Sequence, residues 1–124
     1  MEIIPSGSSK NTITIDGNTI TKPVDDGISI DDNGSGTLSG SIHGNTVGSP
    51  TVAASGSSEQ NAIGIFAEDT ATETLAITNN NLYQYVNVAG IRFDDRASCA
   101  TCVGSATMNL TITGTRSPTP PVGR

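Results

Sequence analysis

One eight-residue pattern recurs along this chain and constrains its fold more than any other feature. Its form is aliphatic-x-aliphatic-x-x-Asn-x-aliphatic, and it occupies residues 13–20, 40–47 and 75–82, with Gly40 replacing the first aliphatic residue of the second copy. A partial fourth copy covers residues 110–115 and carries Thr115 at the Asn position. Self-similar sequence of this kind is typical of stacked architectures in which each copy forms one supersecondary unit. The pattern therefore predicts a solenoid.

The composition favours strands over helices. Aromatic residues make up 3% of the 124 residues, Trp is absent, and the larger apolar residues are mainly Ile, Val and Leu in short alternating runs. β-Branched side chains pack well on a pleated, half-buried surface, and alternation of apolar and polar residues marks strands. No segment has a convincing i, i+3, i+4 apolar spacing. We therefore expect an all-β chain.

A second alternating segment lies between the Asn motifs, at residues 27–30, 63–65 and 90–93. Superposing the copies predicts that equivalent residues stack from coil to coil. The stacked Asn amides can bond one another, and Asn tolerates the left-handed backbone of a sharp corner. The predicted inward ladders are Ile15/Ile42/Ile77/Ile112, Ile20/Val47/Leu82, Ile28/Ile63/Ile91 and Ile30/Ile65/Phe93, with Asn18/Asn45/Asn80 stacked at the corner.

These motifs resemble the right-handed parallel β-helix repeat family, which includes the pectate-lyase-like superfamily and the repeats of large adhesin-type bacterial surface proteins. The resemblance covers residues 11–114 and implies a right-handed parallel β-helix of about three to four coils. Residues 1–10 are then an N-terminal extension, and residues 115–124 form a Pro-rich extended tail, since Pro cannot donate to a sheet. A β-sandwich is the alternative fold, but it does not explain the regular position of the Asn.

The charge balance excludes some partners. The net charge of −6 repels phosphate backbones, so we expect no nucleic-acid binding. No apolar run approaches the ~20 residues that span a bilayer, and residues 1–5 lack the features of a signal peptide. An export signal would therefore lie outside this chain.

Acidic pairs follow the second segment in each copy and are expected to meet at one edge of the stack. Carboxylate oxygens close in space are ligands for Ca²⁺, the only cofactor that the sequence indicates. The other interpretation is a solvated polar edge, because Asp favours turns, and Arg92 and Arg96 could neutralise the charge. The candidate Ca²⁺ ligands are Asp31, Asp32, Glu68, Asp69, Asp94 and Asp95.

Few other residues suggest chemistry. Cys99 and Cys102 form a local disulfide or remain free thiols, because no helix follows for a redox turn and His43 is the only other soft zinc ligand. His43 is expected at the surface. Tyr83 and Tyr85 either contact a sugar or protein partner or pack over the edge of their own coil.

The sequence therefore predicts a non-catalytic structural or adhesive β-solenoid segment of a bacterial cell-surface or extracellular protein. Without an amphipathic capping helix, its coils are expected to stack on neighbouring repeats of a longer chain or on copies of itself, end to end, as a fibre. The alternative is a carbohydrate-binding or polysaccharide-cleaving β-helix module that uses Ca²⁺ and has glycans as partners. No catalytic residue carries over from the resemblance.

Overall fold

The computed structural model describes residues 1–85, 89–96 and 105–117. These residues form twelve β-strands and no helix. The described part of the chain therefore contains no helix that could cross a membrane. All pairings between the strands are parallel. The strands are β1 (Glu2–Ile3), β2 (Ser6–Gly7), β3 (Lys10–Asp16), β4 (Thr19–Ile20), β5 (Ile28–Gly34), β6 (Thr37–His43), β7 (Thr46–Val47), β8 (Ile63–Glu68), β9 (Thr72–Thr78), β10 (Asn81–Leu82), β11 (Ile91–Arg96) and β12 (Thr107–Thr113).

The strands form three sheets. Sheet one has the order β1-β5-β8-β11, with β2 also paired to β5; sheet two has the order β3-β6-β9-β12; sheet three has the order β4-β7-β10. Because neighbours in a sheet are separated by one passage through the other two sheets, the chain winds as a coil. The fold is therefore a parallel β-helix, as the repeat predicted, and the described strands contain no antiparallel pair of the kind a sandwich needs.

Four coils are stacked. The first comprises β1 to β4, the second β5 to β7, the third β8 to β10, and the fourth β11 and β12. Arg116 completes the fourth coil, since it bridges in parallel to Asn81 of β10. The predicted tail thus begins inside the stack at residues 115–117, and residues 118–124 lie outside the described residues.

Residues 1–10, predicted as an extension, contribute to the first coil. Ile3 of β1 stands opposite Ile30 of β5, and the amino group of Met1 donates to the Gly27 carbonyl at 2.8 Å. The Ser29 amide donates in turn to the Met1 carbonyl at 2.8 Å. The stack of coils therefore begins before residue 11.

The four predicted aliphatic ladders are confirmed by the strand registers. Ile42, for example, stands opposite both Ile15 and Ile77, and Ile65 stands opposite both Ile30 and Phe93. The ladders of the second and third coils are fully buried. In the fourth coil, 57% of Phe93 and 42% of Ile112 are exposed, because no further described coil covers them.

The corner between sheets two and three differs from the prediction in one respect. The left-handed residue is the one before the Asn: φ is 65° at Gly17, 64° at Gly44, 56° at Asn79 and 63° at Gly114. Asn18, Asn45 and Asn80 are not left-handed, so tolerance of positive φ does not explain them. Gly removes the steric cost of the turn, and the Asn that follows is free to serve in hydrogen bonding.

Candidate functional site

The Asn ladder is the most extensive side-chain hydrogen-bond network in the described residues. The backbone N–H and Nδ2 of Asn18 both donate to Asn45 Oδ1, at 2.9 and 3.0 Å. Asn45 repeats this geometry toward Asn80 Oδ1, at 2.9 and 3.0 Å. The second hydrogen of each buried amide donates to a backbone carbonyl, from Asn45 to Ile15 and from Asn80 to Ile42, both at 2.9 Å. Each buried Asn is therefore fixed on both sides, which confirms the predicted stacking.

The ladder has a direction. Between the stacked side chains, the backbone N–H and Nδ2 of each Asn donate to the side-chain oxygen of the next coil. The last acceptor is Thr115 Oγ1, which receives the N–H and Nδ2 of Asn80 at 3.4 Å. Thr115 thus replaces the missing fourth Asn with a more distant acceptor. Among the described residues, no donor bonds Asn18 Oδ1 and no acceptor bonds the Thr115 N–H. Within the described part of the chain, one end of the ladder therefore offers an unbonded acceptor and the other an unbonded donor.

A second polar ladder at another corner was not predicted. Asp26 and Asn61 occupy equivalent places just before sheet one, and Asn61 donates its N–H and Nδ2 to Asp26 Oδ1 at 2.8 and 2.9 Å. The sequence contains a signal for this contact: Asp26 and Asn61 each lie two residues before an equivalent Ile of the predicted ladder, Ile28 and Ile63. Asp26 is thereby bound to the next coil within the fold.

The six predicted Ca²⁺ ligands do not converge. The strands of sheet one are longer than expected, so most of these acids lie within strands and point alternately to opposite faces. Asp31 and Asp94 stand opposite Phe66, whereas Asp32 and Asp95 stand opposite Ala67 and share the inward parity of Ile30 and Ile65. Glu68 stands opposite Arg96 in the strand register, and Asp69 occupies a left-handed turn with φ 53°. No group of three or more metal-ligating side chains exists in the described part of the chain.

Arginines occupy the outer face of sheet one. The Arg92 guanidinium lies 2.9 Å from Asp94, and Arg96 lies 3.9 Å from both Asp31 and Asp94. The Arg96 guanidinium also covers the Phe66 ring at 3.6 Å from its centroid, a cation–π contact. A groove of about 400 Å³ runs beside them, lined by Met1, Glu2, Asp25, Asp26, Ser29, Asp31, Gln60, Phe66 and Arg96.

Two carboxyl groups point into the interior of the solenoid. Asp32 is 2% exposed and Glu73 is 0% exposed. Burial raises the pKa of Asp32 above its usual value, and burial together with the charges of Asp32 and Asp31 raises the pKa of Glu73 to about 7. The inward position of Glu73 was not predicted from the sequence. It lies two residues before Leu75 and four before Ile77, so its side chain lies on the same inward face of the strand.

The remaining predicted residues are accounted for by local packing or lie outside the described residues. Tyr85 packs against the aliphatic core, and its hydroxyl forms a hydrogen bond with the Ser117 hydroxyl. This agrees with packing over the edge of its own coil. Tyr83 is half-buried, and its N–H donates to the Val47 carbonyl at 2.8 Å. His43 is half-buried, and its Nδ1 lies 2.8 Å from Thr78 Oγ1. Cys99 and Cys102 lie outside the described residues.

No family model, no curated protein and no solved structure matches this chain. The resemblance to the parallel β-helix repeat family stays a prediction from the motif. The coiled architecture itself rests on the strand registers.

Proposed function

We propose that this chain is a non-catalytic structural segment of a cell-surface or extracellular β-solenoid, and that it associates end to end with a further set of coils. The observation that carries the proposal is the direction of the Asn ladder. Because each Asn of the ladder donates to the next coil, the Thr115 N–H of one copy, which lacks an acceptor among the described residues, matches the Asn18 Oδ1 of another, which lacks a donor among them. Head-to-tail stacking would continue the ladder in the same sense.

The strand edges support the same association. In sheet two, β3 and β12 each pair with one described strand only, and β1 and β11 do so in sheet one. Unpaired strand edges are templates for pairing with another chain. The exposed apolar side chains of Phe93 and Ile112 lie on β11 and β12, at the end of the stack formed by the fourth coil, so a further coil would bury them. A head-to-tail contact of this kind gives an open fibre when the rotation does not close.

The alternative, a carbohydrate-binding or carbohydrate-cleaving module, would use the groove on sheet one. Its volume of about 400 Å³ falls in the range of ligand sites. Sugar rings, however, stack on open aromatic faces, and Phe66 is 5% exposed with Arg96 over its ring. The groove also has four acidic residues, Glu2, Asp25, Asp26 and Asp31, against one arginine. These features favour the structural proposal.

Light scattering over a wide range of protein concentration, with electron microscopy of the same samples, tests the association. We expect oligomers or fibres that grow with concentration. Ile112→Lys places a charge on the inward ladder at the exposed end and should yield monomers. Thr111→Lys adds the same charge to the outer face of the same strand and should leave association unchanged.

A monomer at all concentrations would refute the proposal, as would equal association of both lysine variants. Circular dichroism of each variant checks that the coils remain folded. Binding of a polysaccharide, with or without calcium, in a titration calorimeter would instead support the carbohydrate alternative.

A further inference from the structure

The interior of the third coil contains a carboxyl group that the fold does not satisfy. Neither Oε1 nor Oε2 of Glu73 has a hydrogen-bond partner among the described residues, and the same holds for Asp32 Oδ2. Both side chains are inaccessible to solvent, at 0% and 2% exposure. An ionised carboxylate without a donor is very costly to bury, whereas the neutral acid is far less so. The arrangement therefore demands a proton or a cation.

The surroundings of Glu73 favour a proton. Its neighbours in the sheet-two ladder are Leu38 and Met108, which are uncharged. From sheet one, the buried carboxyl group is Asp32 on β5, whereas Asp95 on β11 stands opposite Ala67 in the same register but is exposed. Sheet three contributes the aliphatic Val47 and Leu82. The buried polar residues in the described part of the chain include no Lys, Arg or His. Asp31 faces outward, where Arg96 pairs with it.

A divalent cation fits this interior poorly. Ca²⁺ takes six or more oxygen ligands, and the described residues hold no cluster of three metal-ligating side chains. A proton requires only one carboxyl oxygen and removes the repulsion between Glu73 and Asp32.

We propose that Glu73 and Asp32 form a buried proton-holding pair that makes the solenoid pH-sensitive: the coils pack tightly while Glu73 is protonated, and they loosen around the third coil when it ionises. This device is independent of the proposed function, because it concerns one chain and its interior. It would couple the stability of the solenoid to the acidity of its surroundings.

The size of the effect follows from linkage. Glu73 has a pKa of about 7 in the folded chain, against 4.5, the ordinary value for Glu, in the unfolded chain. The folded state therefore holds more protons between these values, and stability falls as pH rises through them. The difference of about 2.5 pKa units corresponds to a ~300-fold fall in the folding equilibrium constant, about 3 kcal/mol. At lower pH the protonated pair is retained.

Urea denaturation of the full chain from pH 4.5 to pH 8.5 tests the proposal. Glu73→Gln copies the neutral acid in shape, so it should lose most of the ~300-fold dependence and be more stable than the wild type at the alkaline end. Asp32→Asn should reduce the dependence, since it removes the neighbouring charge. Glu59→Gln removes an exposed carboxylate and should match the wild type.

A direct measurement needs no variant. The carboxyl ¹³C resonance of Glu73 should titrate with a midpoint near the folded pKa of about 7. A midpoint at the ordinary value for Glu, or a pH dependence unchanged by Glu73→Gln, would overturn the proposal. So would full recovery of alkaline stability on adding calcium chloride or sodium chloride, because the pair would then hold a cation.

Discussion

Asn45→Ala is the sharpest test of what holds the coils in register. The Asn45 side chain lies in the middle of the ladder and is 0% exposed. It accepts two hydrogen bonds from Asn18 and donates one each to Ile15 and Asn80. The substitution removes all four and leaves a cavity where water does not reach.

The cost can be estimated from these partners. A hydrogen bond contributes about 1 kcal/mol net, and an unsatisfied buried group costs about 1–3 kcal/mol. In the variant, Asn80 Oδ1 still accepts the hydrogen bond from the backbone N–H of residue 45. Asn18 is half-buried, so water can replace part of the hydrogen bonding that its donors lose. We therefore expect a loss of about 3–4 kcal/mol, out of a total that is typically about 5–15 kcal/mol.

Urea denaturation monitored by far-ultraviolet circular dichroism measures this loss. At an m-value of about 1–3 kcal/mol/M, the midpoint should fall by about 1–4 M. Asn18→Ala is the matched control, because Asn18 is half-buried and its side chain only donates, at 3.0 Å to Asn45 and 3.2 Å to Asp16. It should cost about 1 kcal/mol. Equal losses for the two variants would refute the argument that burial makes the ladder stabilising.

Three further substitutions or additions test other parts of the fold. Gly44→Ala should cost about 1–2 kcal/mol in the same assay, because φ is 64° there, whereas Gly44→Asn should cost less, since Asn79 adopts φ 56° at the equivalent corner. Arg96→Ala should cost about 1 kcal/mol through loss of the cation–π contact with Phe66, and Arg96→Lys should recover part of it; no difference between them would contradict this account. Because the six predicted Ca²⁺ ligands do not converge, millimolar calcium should leave the melting temperature unchanged; a rise that Asp94→Ala with Asp95→Ala abolishes would contradict this expectation.

The ladders could be predicted from the sequence because they depend only on spacing. Once Ile15, Ile42 and Ile77 are superposed, the period of two along a strand fixes the face of every neighbour. The same spacing located the Asn corner but assigned the left-handed backbone to the wrong residue. The turn needs one left-handed position, and spacing alone does not separate Gly44 from Asn45.

The predicted acidic edge differs from the structure because the strands of sheet one extend beyond the alternating segments that indicate them. The alternation of residues 27–30 predicts a strand that ends at Ile30, before Asp31 and Asp32, whereas β5 continues to Gly34. Asp is depleted in strands, so its propensity indicated a turn. Parallel pairing with β8 overrode that propensity and sent Asp31 outward to Arg96 and Asp32 inward.

Two kinds of polar side chain occupy the interior: one stabilises the fold at any pH, and the other makes its stability depend on pH. Asn45 and Asn80 are buried with both amide hydrogens and the amide oxygen bonded, so their contribution does not vary with pH. Glu73 is equally buried but has no hydrogen-bond partner among the described residues, so its contribution depends on a proton. A structural segment needs only the first kind. The presence of the second, where Leu or Val would pack at no electrostatic cost, is what points to a response to pH.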